Sequence, residues 1–76
     1  MRMVQVKIYG VARLKAGVGT FTREASTADE LLGMIPNITK KEAKDLVLLV
    51  NGKPAGRHTR LKDGDEVVLL APAGGG

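Results

Sequence analysis

Cysteine is absent from the 76 residues, and histidine occurs once. The first absence removes disulfides, thiolate metal sites and cysteine nucleophiles together. The lone histidine, His58, stands between Arg57 and Thr59 and reads as an exposed loop residue, because a metal site needs several convergent ligands. Tyr9 and Phe21 are the only aromatics, and a single-strand nucleic-acid binder needs more stacking surface than two rings supply. Long apolar runs are also missing. The longest, Leu46 to Val50, falls far short of the roughly 20 residues that cross a bilayer. Met3 to Gly10 alternates polar with apolar residues and lacks the apolar stretch of a secretory signal. A soluble protein of the reducing cytoplasm is expected, with no membrane partner.

Charge is present in excess. Twelve basic side chains against eight acidic ones leave a net charge of +4, which favours association with an acidic protein surface or with nucleic acid. Lys40, Lys41 and Lys44 read as the wet face of a helix, where charge normally sits. A chain of this length makes one domain and buries only about 60% of its unfolded surface, so its core must be compact. The expected division is a domain over residues 1–71 and a flexible, glycine-rich tail over 72–76.

Val4, Val6 and Ile8 alternate with Gln5, Lys7 and Tyr9, the period-2 pattern of a half-buried strand. Gly10 breaks it, and Val11 to Gly19 reads as a loop or irregular turn. Thr20 to Glu24 is a second short strand, forming an antiparallel pair with the first. Thr27-Ala28-Asp29-Glu30 and Thr39-Lys40-Lys41-Glu42 both carry the spacing of a capping box, so two short helices form a broken crossover. The first presents Leu31, Leu32, Met34 and Ile35 and is expected to end at Pro36. Leu46 to Val50 reads as a strand covered on both faces. Asn51-Gly52 is a hairpin signal, and Lys53 to Thr59 returns as an edge strand or loop interrupted by Pro54. Asp63-Gly64-Asp65 is a tight turn before the last strand, Glu66 to Ala71. This order of strands and helices gives an α+β fold, a sheet with a short helix packed across it.

No constellation resembles an active site. Asp63, Asp65 and Glu66 cluster, but turn chemistry accounts for the aspartates. Gly17-Val18-Gly19 lacks the lysine-bearing pattern of a phosphate loop. What remains is the end of the chain, Gly74, Gly75 and Gly76, directly after an apolar strand. Glycine has no Cβ, so another protein can close on the backbone from every side. Extended, Ala71 to Gly76 reaches roughly 20 Å, enough to thread a carboxylate into a partner. A carboxylate is a poor electrophile at neutral pH and needs activation as a mixed anhydride with phosphate. The partner must supply ATP, magnesium and the groups that stabilise developing charge.

Asn51-Gly52, then Leu61-Lys62-Asp63-Gly64-Asp65-Glu66-Val67, then a proline and a terminal Gly-Gly, resembles the C-terminal half of the ThiS/MoaD sulfur carriers. On that alignment the terminal pair of the family falls on Gly75 and Gly76, with Gly74 one position before. Tyr9-Gly10-Val11-Ala12-Arg13 with Gly17 is similar to a stretch of molybdopterin synthase small subunits. The compact segment from Leu31 to Asp45, broken by Pro36, is closer to the thiazole-type carriers, and Ala71-Pro72 stands where molybdopterin-type carriers commonly have a double proline.

The resemblance implies a ubiquitin-like β-grasp: a mixed sheet of four to five strands, one main short helix and a flexible C-terminal tail. It implies a carrier, not an enzyme, with no bound cofactor or metal. An ATP-dependent activating enzyme of the MoeB/ThiF type would adenylate Gly76, using ATP and magnesium, and a sulfurtransferase would convert the adenylate to a thiocarboxylate. The sulfur acceptor would be held by the molybdopterin synthase large subunit or, in the alternative, by a thiazole synthase. Conjugation to protein lysines and tRNA thiolation remain open as other fates of the same activated carboxylate. Gly75, Gly74, Pro72, Leu70 and Arg13 are the expected tail and partner contacts, with Leu69 or Leu70 turned to the core by strand parity. A non-covalent module that binds RNA or protein is the third possibility.

Overall fold

Val4, Val6 and Ile8 lie on one face of strand β1 (Met3–Ile8) and are buried to 1% exposure or less. The computed structural model describes residues 1–72. After β1 come α1 (Gly10–Ala16), β2 (Thr20–Glu24), α2 (Ala28–Leu32), α3 (Lys40–Ala43), β3 (Val47–Val50), β4 (Lys53–Pro54) and β5 (Glu66–Leu70). The five strands form one mixed sheet in the order β2-β1-β5-β3-β4. β1 and β5 run parallel at its centre, with Val6 opposite Val67 and Ile8 opposite Leu69. β3 runs antiparallel to β5 and places Leu48 opposite Leu69. Ile8, Leu69 and Leu48 therefore form one buried row across three strands. Each fully buried aliphatic side chain contributes about 1.5–3 kcal/mol. Leu31 and Leu32 of α2, with Leu61, cover this inner face.

The helices are short because their ends are fixed locally. The Thr39 hydroxyl accepts from Glu42 N–H at 3.2 Å, and Glu42 Oε1 accepts from Thr39 N–H at 3.1 Å, a complete capping box. At α2 the Thr27 hydroxyl accepts from Glu30 N–H, but the Glu30 carboxylate reaches back to Ser26 N–H instead of Thr27. Half the expected box is thus displaced by one residue. α2 stops at Gly33, three residues before Pro36, so the proline follows the helix end and does not set it. The loop after β4 is fastened to the start of α2, with Ala28 N–H donating to Thr59 O and Leu61 N–H to Ser26 O.

Two further sequence expectations are corrected. Val11 to Gly19 is not a loop: Gly10–Ala16 is helical, with Ala12 and Ala16 buried. Tyr9 at its N-cap makes no side-chain cap bond, so the usual start signal is missing. The stop is well marked: Gly17, at φ +79°, takes the left-handed C-cap position and its N–H donates to Arg13 O. Asn37 Nδ2 donates to Ala16 O at 3.0 Å and satisfies another free carbonyl. β3 is also not covered on both faces. Leu48 is buried, whereas Val47 and Leu49 are only half-buried on the outer side of the sheet. The return from Lys53, expected as an edge strand or loop, is both: Lys53 and Pro54 form the edge strand β4, and the chain then continues as loop, since proline cannot continue the ladder.

Candidate functional site

Parity along β5 resolves the two leucines before the tail. Leu69 is fully buried; Leu70 is half-buried on the outer face, opposite Val47. Two residues back along β5, Val68 lies opposite Leu49 on that same face. Val47, Leu49, Val68 and Leu70 make a patch of four half-buried aliphatic side chains. At its lower edge Lys7 Nζ pairs with the Glu66 carboxylate at 3.2 Å. Leu70 leads to Ala71, half-buried, and Pro72, exposed. Gly74, Gly75 and Gly76, the expected reactive end, lie outside the described residues.

Because β1 and β5 are parallel, the end of β1 lies beside the end of β5, and Tyr9 N–H donates to Leu69 O at 3.0 Å. α1 begins at that point, so it packs at the pole where the chain leaves the sheet. Between α1, α3 and the end of β5 lies an open groove of about 350 Å³, lined by Val11, Ala12, Ile38, Leu46, Ala71 and Pro72. Lys15 and Glu42 form an ion pair at its rim, where Asp45 also stands. A reading of Val11 to Gly19 as a loop hides this groove. The signal of the helix behind it is the spacing of Val11, on the groove wall, and Leu14, three apart and so on one side of a helix.

Arg13 does not join this arrangement. It is exposed, and its guanidinium lies over Gly19 just before β2; a Cβ on Gly19 would sit 2.6 Å from Arg13 Nε. His58 is exposed in the loop after β4. Asp63 and Asp65 serve the turn at the opposite pole. Asp63 Oδ1 accepts from Met3 N–H at 2.9 Å, and Asp65 Oδ2 accepts from Lys62 N–H at 2.8 Å. The Lys62 N–H, and after it the Asn51 amide, hold the Asp65 carboxyl below its ordinary value of 3.8. Asp29 is held low too, chiefly by its hydrogen bond from Lys40. These carboxylates are occupied as acceptors. Among the described residues no three His, Asp or Glu side chains converge as metal ligands do, and no helix is long and apolar enough to cross a membrane.

A mixed five-stranded sheet with a few short helices, its parallel strands β1 and β5 side by side, is a ubiquitin-like β-grasp. The model of the ThiS family matches residues 6–76, and the chain belongs to that family, the ThiS/MoaD-type ubiquitin-like sulfur carriers. Among solved structures it is similar to a molybdopterin converting factor, subunit 1, from Pyrococcus furiosus. Identity there is 27%, with a TM-score of 0.78, covering 95% of this chain and 99% of that one. The small archaeal modifier protein 1 of Methanosarcina acetivorans shares the fold at a TM-score of 0.81 and 24% identity, covering 100% and 98%. Subunit 1 in a complex of subunits 1 and 2 of the molybdopterin-converting factor of Helicobacter pylori superposes at 0.69 with 25% identity, covering 92% and 93%. A search of curated proteins gives no match.

Proposed function

We propose that the carboxylate of Gly76 is adenylated and then converted to a thiocarboxylate, and that the chain delivers this sulfur in molybdopterin biosynthesis. A carboxylate oxygen attacks the α-phosphorus of ATP, held with magnesium by an activating enzyme, and pyrophosphate leaves. The terminal sulfur of a sulfurtransferase persulfide attacks the acyl carbon and AMP leaves, giving an acyl disulfide. A thiol of the sulfurtransferase then attacks the inner sulfur, releasing the thiocarboxylate and leaving an enzyme disulfide for a cellular thiol to reduce. The large subunit of a molybdopterin synthase takes the sulfur from there.

The Helicobacter pylori structure, in which a relative of this chain stands in complex with a subunit 2, is the observation that carries the choice of acceptor. The architecture supports it, since β5 brings Leu70 and Pro72 to the surface directly before the glycines. In this reading Leu70 and Pro72 dock, Gly74 and Gly75 thread, and Gly76 reacts. Arg13, turned toward Gly19, is a lesser contact. The family model carries the ThiS name, which favours delivery to a thiazole synthase as the second reading.

Intact-mass analysis tests the first step. After incubation with ATP, magnesium, the activating enzyme and a sulfur donor, the chain should gain the mass difference between sulfur and oxygen. Deleting Gly76 should abolish the gain while leaving the circular dichroism spectrum unchanged; thiolation of the truncated chain defeats the proposal. Supplying the thiolated chain to a molybdopterin synthase large subunit or to a thiazole synthase separates the two acceptors. Gly-Gly remnants on lysines in a digest would instead point to protein conjugation.

A further inference from the structure

Three of the large apolar side chains exposed among the described residues fall within six positions of sequence: Tyr9 at 48%, Val11 at 71% and Leu14 at 83%. The last two stand three apart on α1 and so share one side of the helix. A short helix normally buries its apolar side against the domain. α1 buries only Ala12 and Ala16 and leaves the bulkier groups in water. Val11 also forms one wall of the groove between α1 and α3.

Two further observations say what this surface meets. The groove is lined by Ala71 and Pro72, the residues that lead into the tail, so it adjoins the place where an enzyme that receives the tail meets the domain. Its rim is unbalanced in charge. Lys15 is paired with Glu42, whose carboxylate also accepts from Thr39. The Asp45 carboxylate has neither a hydrogen bond nor an ion pair among the described residues, which leaves the rim acidic.

We propose that this groove seats an apolar side chain of the activating enzyme, with a basic group of that enzyme meeting Asp45. The inference rests on the reading of Gly76 as the adenylated group. The outer-face patch at Leu70 and the groove lie on opposite sides of β5. An enzyme that grips both straddles Pro72 and fixes the direction in which the tail leaves. A groove with an apolar floor and an acidic rim rejects an acidic or purely polar partner side chain, so it adds specificity as well as contact.

The test is ATP–pyrophosphate exchange by the adenylating enzyme of the same organism, with the full chain as the varied substrate. Val11→Ser, alone and combined with Leu14→Ser beside the groove, should raise KM, about tenfold for the pair, with kcat unchanged, because this surface orients the carrier and does not touch the reacting carboxylate. Asp45→Lys should raise KM and flatten its dependence on salt. Lys53→Ser, at the opposite pole, should do neither. All four positions are exposed, and circular dichroism checks the fold of each variant. Wild-type KM in the groove variants, with the wild-type chain active, overturns the groove while the adenylation reading stands. No exchange with the wild-type chain overturns both. Concentration-dependent dimers that Val11→Ser dissolves would make a second copy of this chain the occupant, against the proposal.

Discussion

Asn51 and Asp65 hold the pole opposite the tail. The Asn51 amide donates to Asp65 Oδ1 at 2.9 Å, while its oxygen accepts from Glu66 N–H at 3.0 Å. Asn51 does this from the left-handed region, at φ +52°, as the first residue of the tight β3–β4 turn. One side chain thus ties that turn to the turn before β5. Asn51→Ala should lower stability by about 2 kcal/mol, from lost hydrogen bonds together with left-handed strain. Asn51→Gly loses the bonds but keeps the backbone at ease, so it should be milder by about 1 kcal/mol. Urea unfolding of the two variants checks the order; equal losses would mean the backbone geometry is irrelevant there.

The pH dependence of stability has a defined sign. Asp65 and Asp29 are both held below 3.8, by hydrogen bonds from Lys62 and Lys40 respectively before any other cause. A carboxyl whose folded value lies below its unfolded one contributes stability above the unfolded value, about 3.9, and loses it as pH falls through the folded value. Tm should therefore be level from these groups above about pH 5 and fall progressively below about pH 4. Asp65→Asn should flatten that acid limb, and acid limbs that run parallel for mutant and wild type exclude Asp65 as a source.

Leu69 and Leu70 should separate stability from docking. Leu69→Ala empties a core position and should cost about 2–5 kcal/mol, enough to unfold much of a domain this small. Leu70→Ala should stay within about 1 kcal/mol, since its side chain is only half-buried. Leu70→Glu should keep the fold and weaken capture by the activating enzyme, read as a raised KM. A folded Leu70→Glu chain with wild-type KM removes the outer-face patch from the docking surface.

At Gly17, φ is +79° and the N–H closes α1. Gly17→Ala should cost about 1 kcal/mol and Gly17→Asn less, because asparagine tolerates the left-handed position better. Thermal melts rank the two.

Some features of this molecule are plain in the sequence and others leave no trace there. Val4, Val6 and Ile8 could be assigned to the core because strand parity is a local property. Thr39 and Glu42 announced α3 because a capping box is written in four residues. α1 left a weaker mark: Tyr9 is no N-cap residue of the usual kind, and only the spacing of Val11 and Leu14 and the glycine stop point to a helix. Leu69 and Leu70 had a known alternation but an unknown phase, since phase depends on which neighbour each strand meets. The same holds for the groove, whose walls Val11, Leu46 and Pro72 come from three separate stretches. The expectation of a reactive end at Gly74 to Gly76 came by elimination, from residues that lie outside the described ones.

The place of β5 between β1 and β3 has a mechanical consequence. A partner that draws on Pro72 pulls along the strand, parallel to its axis. That load falls in shear on two ladders at once, so the inter-strand bonds share it and are not broken singly. An edge strand pulled away from its neighbour would peel. On the function proposed above, the tail can bear a partner's pull because the strand behind it is clamped on both sides.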